Sequence, residues 1–343
     1  MAFRRATVIG DYVDVNASFL PEAETIFANT YVAAQMITLS YEKHMTCMGP
    51  ETITNLTTAN RGLQLSDISL NLPTTIFKGF LNDYYDDEGW WALAWIKAYD
   101  LTRNPRYMTI AQTIFQDMTY GWDNGTCGGL WWDKGHTAIN AIENELLISV
   151  AAHLANRVAS QDKSAYVKWA KSTWDWFQAT GMINVRGSIN DGIDIKTCKN
   201  NLGQAWSYNQ GVILGGLVEL SRLTSNSSYL DTATKIANAA INRLGDAKHV
   251  IREPCEPNCG SDGPQFKGIF MRNLQMLQQA APSPLFATTI NANADSIWAN
   301  DRDPNNNLGL IWAGPYQKGT ASDHSSACDA LIAAAALEAK TPP

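Results

Sequence analysis

Apolar residues along this chain recur at three- and four-residue intervals, the spacing of an α-helix that buries one face. Trp91, Ala94, Trp95 and Ala98 mark one such stripe; Ile26, Ala33, Met36 and Ile37 mark another, which Val32 and Leu39 widen until little of that helix stays polar. The strict alternation of strands is almost absent. Two sorts of helix emerge. One is apolar nearly all round and predicts burial, whereas the other keeps a polar face and belongs at the periphery.

The two sorts alternate with a period. Leu101–Tyr107, Ser160–Tyr166 and Leu223–Tyr229 are short polar turns, each ending in a tyrosine and leading into an amphipathic run. The tyrosines fall roughly 60 residues apart, so they mark a repeated unit. The apolar helices are expected to begin near Asn29, Glu88, Glu143, Asn209, Lys267 and Ser322. Six buried helices alternating with six half-exposed ones predict an all-α fold, an (α/α)6 barrel. An open α-solenoid is built from the same hairpins but needs capped ends. Residues 1–21 read as a lead-in and 22–343 as one barrel domain, with a loop-rich stretch at 46–72.

Composition narrows the function. Of 343 residues, 45% are hydrophobic and 17% charged, which suits a packed core and excludes disorder. A net charge of -7 argues against a nucleic-acid partner, which needs a basic face. No apolar run approaches the roughly 18 residues of a membrane span. Met1–Gly10 is basic but leads to no sustained apolar stretch, so no signal peptide is read there. Six cysteines nevertheless suggest bridges. Cys255 and Cys259 share a tight loop with no second Cys or His pair nearby to complete a zinc site. Cys127 and Cys198 sit in successive loops, while Cys47 and Cys328 lie at the first and last inner helices, neighbours in a closed ring. Asn-x-Ser/Thr sequons at Asn16, Asn55, Asn124 and Asn226 add to a secreted, oxidising setting, with the leader removed or mis-assigned. The histidines, methionines and remaining cations form no ligand set, so neither metal nor cofactor is expected.

The chemistry gathers in Asp83-Tyr84-Tyr85-Asp86-Asp87-Glu88-Gly89-Trp90-Trp91, directly ahead of a helical stripe. Acids there cap the free N–H groups and face the positive end of the helix dipole. Caps do not need the surrounding tyrosines and tryptophans, whereas a carboxylate pair that handles a sugar does. The other loops preceding inner helices have the same character. They hold Gly121–Asp133 with Trp131 and Trp132, then Asp191–Asp194, Ser207–Gly211 and Phe266–Gly268. Core packing is the competing account of Trp131 and Trp132.

Taken together, Tyr84–Ala92, Gly128–Trp132, Asn140–Leu146, Tyr208–Gly211 and Phe266–Gly268 resemble glycoside hydrolase family 76, the endo-α-1,6-mannanases and their fungal cell-wall relatives. The cysteine-bearing loops look more like the fungal branch. The resemblance implies an (α/α)6 barrel and a retaining reaction, with Asp86 as nucleophile and Asp87 as acid/base. Tyr85, Trp90, Trp91, Trp131, Trp132, Asn140, Asn144, Asp194, Tyr208, Asn209 and Lys267 are the expected substrate-binding residues. Mannan, or another mannose-containing oligosaccharide, is then the expected partner of a monomer. Two other readings stand beside it. One is a transglycosidase that moves a mannose-containing glycan such as a GPI core; the other is a barrel that binds sugar without catalysis. The ending Glu338–Pro343 shows no anchor tail, which favours hydrolysis over transfer.

Overall fold

The computed structural model describes residues 80–338. Among them nine α-helices follow in order: α1 Tyr85–Thr102, α2 Pro105–Tyr120, α3 Ala141–Ala155, α4 Lys163–Ala179, α5 Ser207–Thr224, α6 Ser228–Leu244, α7 Phe266–Ala280, α8 Pro284–Asn300 and α9 Ala321–Glu338. The strands described are β1 Ile193–Asp194 and β2 Lys199–Asn200, an antiparallel pair with Ile193 opposite Asn200. The first expected hairpin, including the helix begun near Asn29 and the 46–72 stretch, lies outside the described residues.

The chain divides into two compact units. In the first, which contains α1–α6, successive helices pack as hairpins: α1 on α2, α3 on α4, α5 on α6. Helix α3 also packs against α1 and α5. Burial matches the apolar pattern. Every residue of α3 but His153 is buried, whereas α2, α4 and α6 bury one stripe each. The repeated turn has a local cause. In Leu101–Asn104 and again in Leu223–Asn226 a threonine hydroxyl bonds back to the helix, Thr102 to the Ala98 carbonyl and Thr224 to that of Leu220. The next residue, Arg103 or Ser225, turns left-handed at φ 58° or 55°. The asparagine after it then accepts an N–H two residues on, from Arg106 or Ser228, and starts the next helix.

A second device fixes the loops at the other end of the inner helices. The buried Asn144 amide accepts from the Leu130 N–H at 2.7 Å and donates to the Leu130 carbonyl at 3.1 Å. Gln210 does the same for Ile189, at 2.8 Å both ways. Backbone groups shut off from water need such partners.

The second unit comprises 246–275 and 287–338 among the described residues. Here Asn293 accepts from Ile251 and donates to His249, repeating that device from α8. Gly268 on α7 lies so close to Ser326 on α9 that a Cβ would meet the serine Cα at 2.6 Å. Cys127–Cys198 bridges the first unit and Cys255–Cys259 the second. The expected Cys47–Cys328 bridge is not among them: Cys328 is unbridged, its thiol pushed up to about 12 by burial, and Cys47 lies outside the described residues.

Candidate active site

Helix α1 starts without a side-chain cap, and Asp86, Asp87 and Glu88 crowd its first turn. What holds that turn is the loop before α3. Tyr85 donates its N–H to the Trp132 carbonyl, Lys134 to that of Asp83, and Trp132 to that of Ala138. Asn82 ties the approach: its side chain accepts from Tyr84 N and donates to Asp87 Oδ2 at 3.1 Å, while its own N–H goes to Glu88 Oε1. The Asp87 carboxylate is thereby held by Asn82, and the turn that carries both aspartates is held through the Tyr85 backbone.

Asp86 is half-buried as a residue, yet its Oδ1 is shut off from water and takes no hydrogen bond. Burial pushes its carboxyl up to about 6. The Trp132 indole N–H and two backbone N–H groups at the helix start pull the other way, and nearby Asp133 adds to the rise. Glu88 is fully buried, and burial lifts it to about 8 although Lys134 Nζ bonds it at 2.9 Å. The same ammonium reaches Asp117 at 2.6 Å and covers the Tyr85 ring.

Two further helix starts bring acids toward Asp86. Glu143 sits in the first turn of α3, accepting from Asn140 N, with its Oε2 unpartnered. Glu145 is wholly buried and neither carboxyl oxygen has a partner. Burial raises both well above the usual range, with repulsion from Asp86 and Asp191 adding for Glu143 and from Glu143 and Asp191 for Glu145. Asp191, whose carbonyl accepts from Ala141 N, is held by Asn209 Nδ2 from α5 at 3.4 Å. Tyr208 lies within the field of all four acids, and its hydroxyl is raised first by burial and then by them.

The expected site residues therefore separate. Asp86, Trp132, Tyr208 and Asn209 meet in this cluster, and Asn140 starts the helix that carries its glutamates. Asp87 follows on the same turn of α1, and Trp90 stands half-buried one turn further on. Trp131 stacks on His136, and Tyr84 leans on Trp132. Trp91 and Tyr85 are core residues, Trp91 packing on Phe80 and Trp95. The Asn144 amide bonds the backbone of Leu130 and Asn140 and also donates to Glu143 Oε1 at 3.2 Å, touching one acid of the cluster. Asp194 is exposed on the β1–β2 hairpin and accepts from Lys196 N, while Asp191 three residues earlier joins the cluster. Lys267 belongs to the second unit, fully buried, bonded to Glu256 and the Leu310 carbonyl and covering the Trp312 ring. Sequence reasoning missed Asn82, Asp133, Glu143, Glu145 and Asp191 as site groups. Two glutamates inside an otherwise apolar helix were the available signal, since unpaired acids are almost never fully buried.

The model of Glycosyl hydrolase family 76 matches residues 29–343. A mannan endo-1,6-alpha-mannosidase of Candida albicans is 30% identical over 57% of this chain and 47% of its own length. The chain thus spans about half the length of the curated relatives it matches. The Lin0763 protein from Listeria innocua superimposes with a TM-score of 0.73 at 25% identity, over 91% of this chain and 86% of that one. The GH76A alpha-1,6-mannanase from Salegentibacter gives 0.70 at 21%, over 90% and 88%. A variant of it with two consecutive aspartates changed to alanine is described as inactive and was solved with alpha-1,6-mannotetrose. The fold is the all-α, (α/α)6-barrel fold of these structures.

Proposed function

Because this chain belongs to glycosyl hydrolase family 76, we propose that it cleaves α-1,6-linked mannose chains with retention of configuration. One observation carries the assignment of Asp86 as nucleophile: its carboxylate is clamped by the Trp132 indole and the helix start, yet Oδ1 has no partner. That oxygen attacks the anomeric carbon, and the bond to the leaving oxygen breaks as Asp87 gives that oxygen its proton. The product is a mannosyl ester on Asp86. Asp87 then takes a proton from water, which attacks the same carbon and releases mannose chain and carboxylate. The Salegentibacter variant supports the use of an adjacent aspartate pair, and the names of the fungal relatives support mannan as substrate. Burial, with Asp133 adding, holds the basicity of Asp86 up, which favours a nucleophile ionised only from near pH 6 upward.

The whole of 22–343 acts as one catalytic domain in this reading, in a secreted protein. Both bridges, and exposed sequons at Asn124 and Asn226, support that compartment. No helix among the described residues is long and apolar enough to cross a membrane. Incubation with linear α-1,6-mannan tests the reaction. Short oligomannosides released with the α-anomer formed first support it. Products lengthened by an added acceptor replace hydrolysis with transfer, and no change in the mannan removes the proposal.

A further inference from the structure

We propose, resting on the mannan reading with Asp87 as acid/base, that Asn82 is a positioning residue for that acid. Its amide holds Asp87 Oδ2, so that Oδ1 is the oxygen that carries the proton to the leaving group.

Three hydrogen bonds anchor Asn82 just ahead of α1. Its own N–H donates to Glu88 Oε1 at 3.1 Å, and the same buried oxygen takes Lys134 Nζ at 2.9 Å. Its side-chain Oδ1 accepts the Tyr84 N–H at 2.6 Å, and its NH2 donates to Asp87 Oδ2 at 3.1 Å. The bond from Tyr84 decides the orientation of the amide. A backbone N–H needs an acceptor, so the amide oxygen faces Tyr84 and the NH2 faces Asp87; turned over, the amide would set donor against donor. Capping the turn does not require this second group. A serine hydroxyl also accepts an N–H two residues on, whereas asparagine adds a donor that can never accept. Asp86, one residue earlier, is held differently, by the Trp132 indole and the N–H groups of the helix start. Asn82 therefore tells the two aspartates apart.

A fixed donor sorts the two oxygens of its partner. The carbonyl oxygen of a neutral carboxyl is its better acceptor, so protonated Asp87 turns Oδ2 to Asn82 and bears its proton on Oδ1. In the first step Asp86 bonds the anomeric carbon, and the bond from that carbon to the leaving oxygen breaks. The proton on Asp87 Oδ1 passes to that oxygen, and Asp87 is left as a carboxylate. The hydrogen bond from Asn82 changes with it, from one between neutral groups to one made to an anion, which is roughly twice as strong. An interaction that strengthens as the bond breaks speeds the step without tightening the resting complex.

Asn82→Ser is the discriminating variant, because it keeps an acceptor for the Tyr84 N–H and removes the donor. Its kcat/KM for α-1,6-mannotetraose should fall about five- to tenfold, with KM within twofold. A dinitrophenyl α-1,6-mannobioside has a leaving group that needs no proton, so kcat/KM for it should stay within twofold of wild type. Added to Asp87→Asn, the same change should cost nothing further on the tetraose, because no charge then develops beside Asn82. Asn82→Asp has the shape of asparagine and repels Asp87 at pH 7. It should show the same split between substrates with at least as large a loss, and it reads the inference if the serine variant fails to fold. Equal losses on both substrates make Asn82 a support for the turn alone, and an unchanged kcat/KM on the tetraose leaves it no part in the step. Either result overturns the inference, while a wild type that cleaves mannan keeps the mannan reading. A wild type that leaves mannan and the tetraose uncut overturns both.

Discussion

Replacing Asp86 by asparagine should abolish turnover and yet make the folded protein more stable near neutral pH. Burial lifts this carboxyl from 3.8 to about 6. At 1.36 kcal/mol for each tenfold change in protonation, holding it ionised costs the folded state up to about 3 kcal/mol relative to the unfolded chain. The sign follows from proton binding. Between pH 3.8 and about 6 the folded state holds the proton more tightly, so stability falls as pH rises through that window. Above it the deficit is complete; below it none remains. Asparagine cannot ionise and escapes the deficit, although its amide N–H groups need acceptors that a carboxylate did not. A net gain of about 1–3 kcal/mol at pH 7.5 is expected, which is roughly 2–8 °C in melting temperature. At pH 4 the gain should shrink to near zero. Thermal denaturation of wild type and Asp86→Asn at both pH values, with activity on mannan measured alongside, checks each part. A variant less stable than wild type at pH 7.5 would mean that Asp86 serves α1 as an ordinary cap, and the argument from burial would be wrong.

Other perturbations test other parts of the structure. Asp87→Asn should hurt hydrolysis of mannan far more than the first step on an activated aryl mannoside, and azide should restore turnover to give α-mannosyl azide; normal activity on mannan removes Asp87 from the mechanism. Glu219 accepts from Asn156, Arg157 and Arg222, and its carboxyl lies below the usual range despite burial, because His153, Arg157 and these hydrogen bonds favour the charge. Its contribution is therefore present at neutral pH and lost as pH falls through its folded value. Glu219→Gln should cost about 3 kcal/mol in urea denaturation at pH 7, and less in acid. Loss of Cys127–Cys198, which spans 71 residues, should cost about 2–4 kcal/mol in the double alanine variant, read as a lower melting temperature under non-reducing conditions.

Much of the helical order is legible in the apolar pattern, and the reason is burial. Inner helices were expected to start at Glu88, Glu143, Asn209, Lys267 and Ser322; they start at Tyr85, Ala141, Ser207, Phe266 and Ala321. Each expectation is late by one to three residues, since an apolar stripe reports the packed middle of a helix and its ends are decided by backbone partners. The roles of polar residues were harder to read. Asn144 and Asn209 look alike in sequence, each an amide near a helix start. One ties down the Leu130 backbone and its own neighbour Glu143 while the other reaches across to Asp191, and only the three-dimensional path of the loop separates them. Lys267 was read as a sugar contact because it lies in the Phe266–Gly268 loop that carries part of the family resemblance. Its ammonium instead compensates Glu256 and a carbonyl inside the second unit, where an unpaired charge would be far costlier.

In the proposed reaction an adjacent pair of aspartates divides its labour, and the burial of Asp86 supports that division. A helix start offers N–H groups and a positive dipole end, which alone would keep Asp86 ionised well into the acid range. Were that the whole environment, the carboxylate would be a stable cap and a poor nucleophile. Glu143, Glu145 and Asp191 arrive at the N-terminal ends of α3 and α5, each itself deprived of water, and Asp133 presses from the loop. Their burial is unfavourable for folding and is tolerated because α3 and α5 are packed on nearly every face. Burial of Asp86, with Asp133 adding, opposes the N–H groups of the helix start, so Asp86 retains basicity while Trp132 and those N–H groups hold its carboxylate. In the proposed reaction a sugar ring passing to positive charge at its anomeric carbon is attracted most by the Asp86 carboxylate as the bond breaks. Stabilisation reserved for that moment accelerates the chemical step, whereas grip on the resting substrate would not.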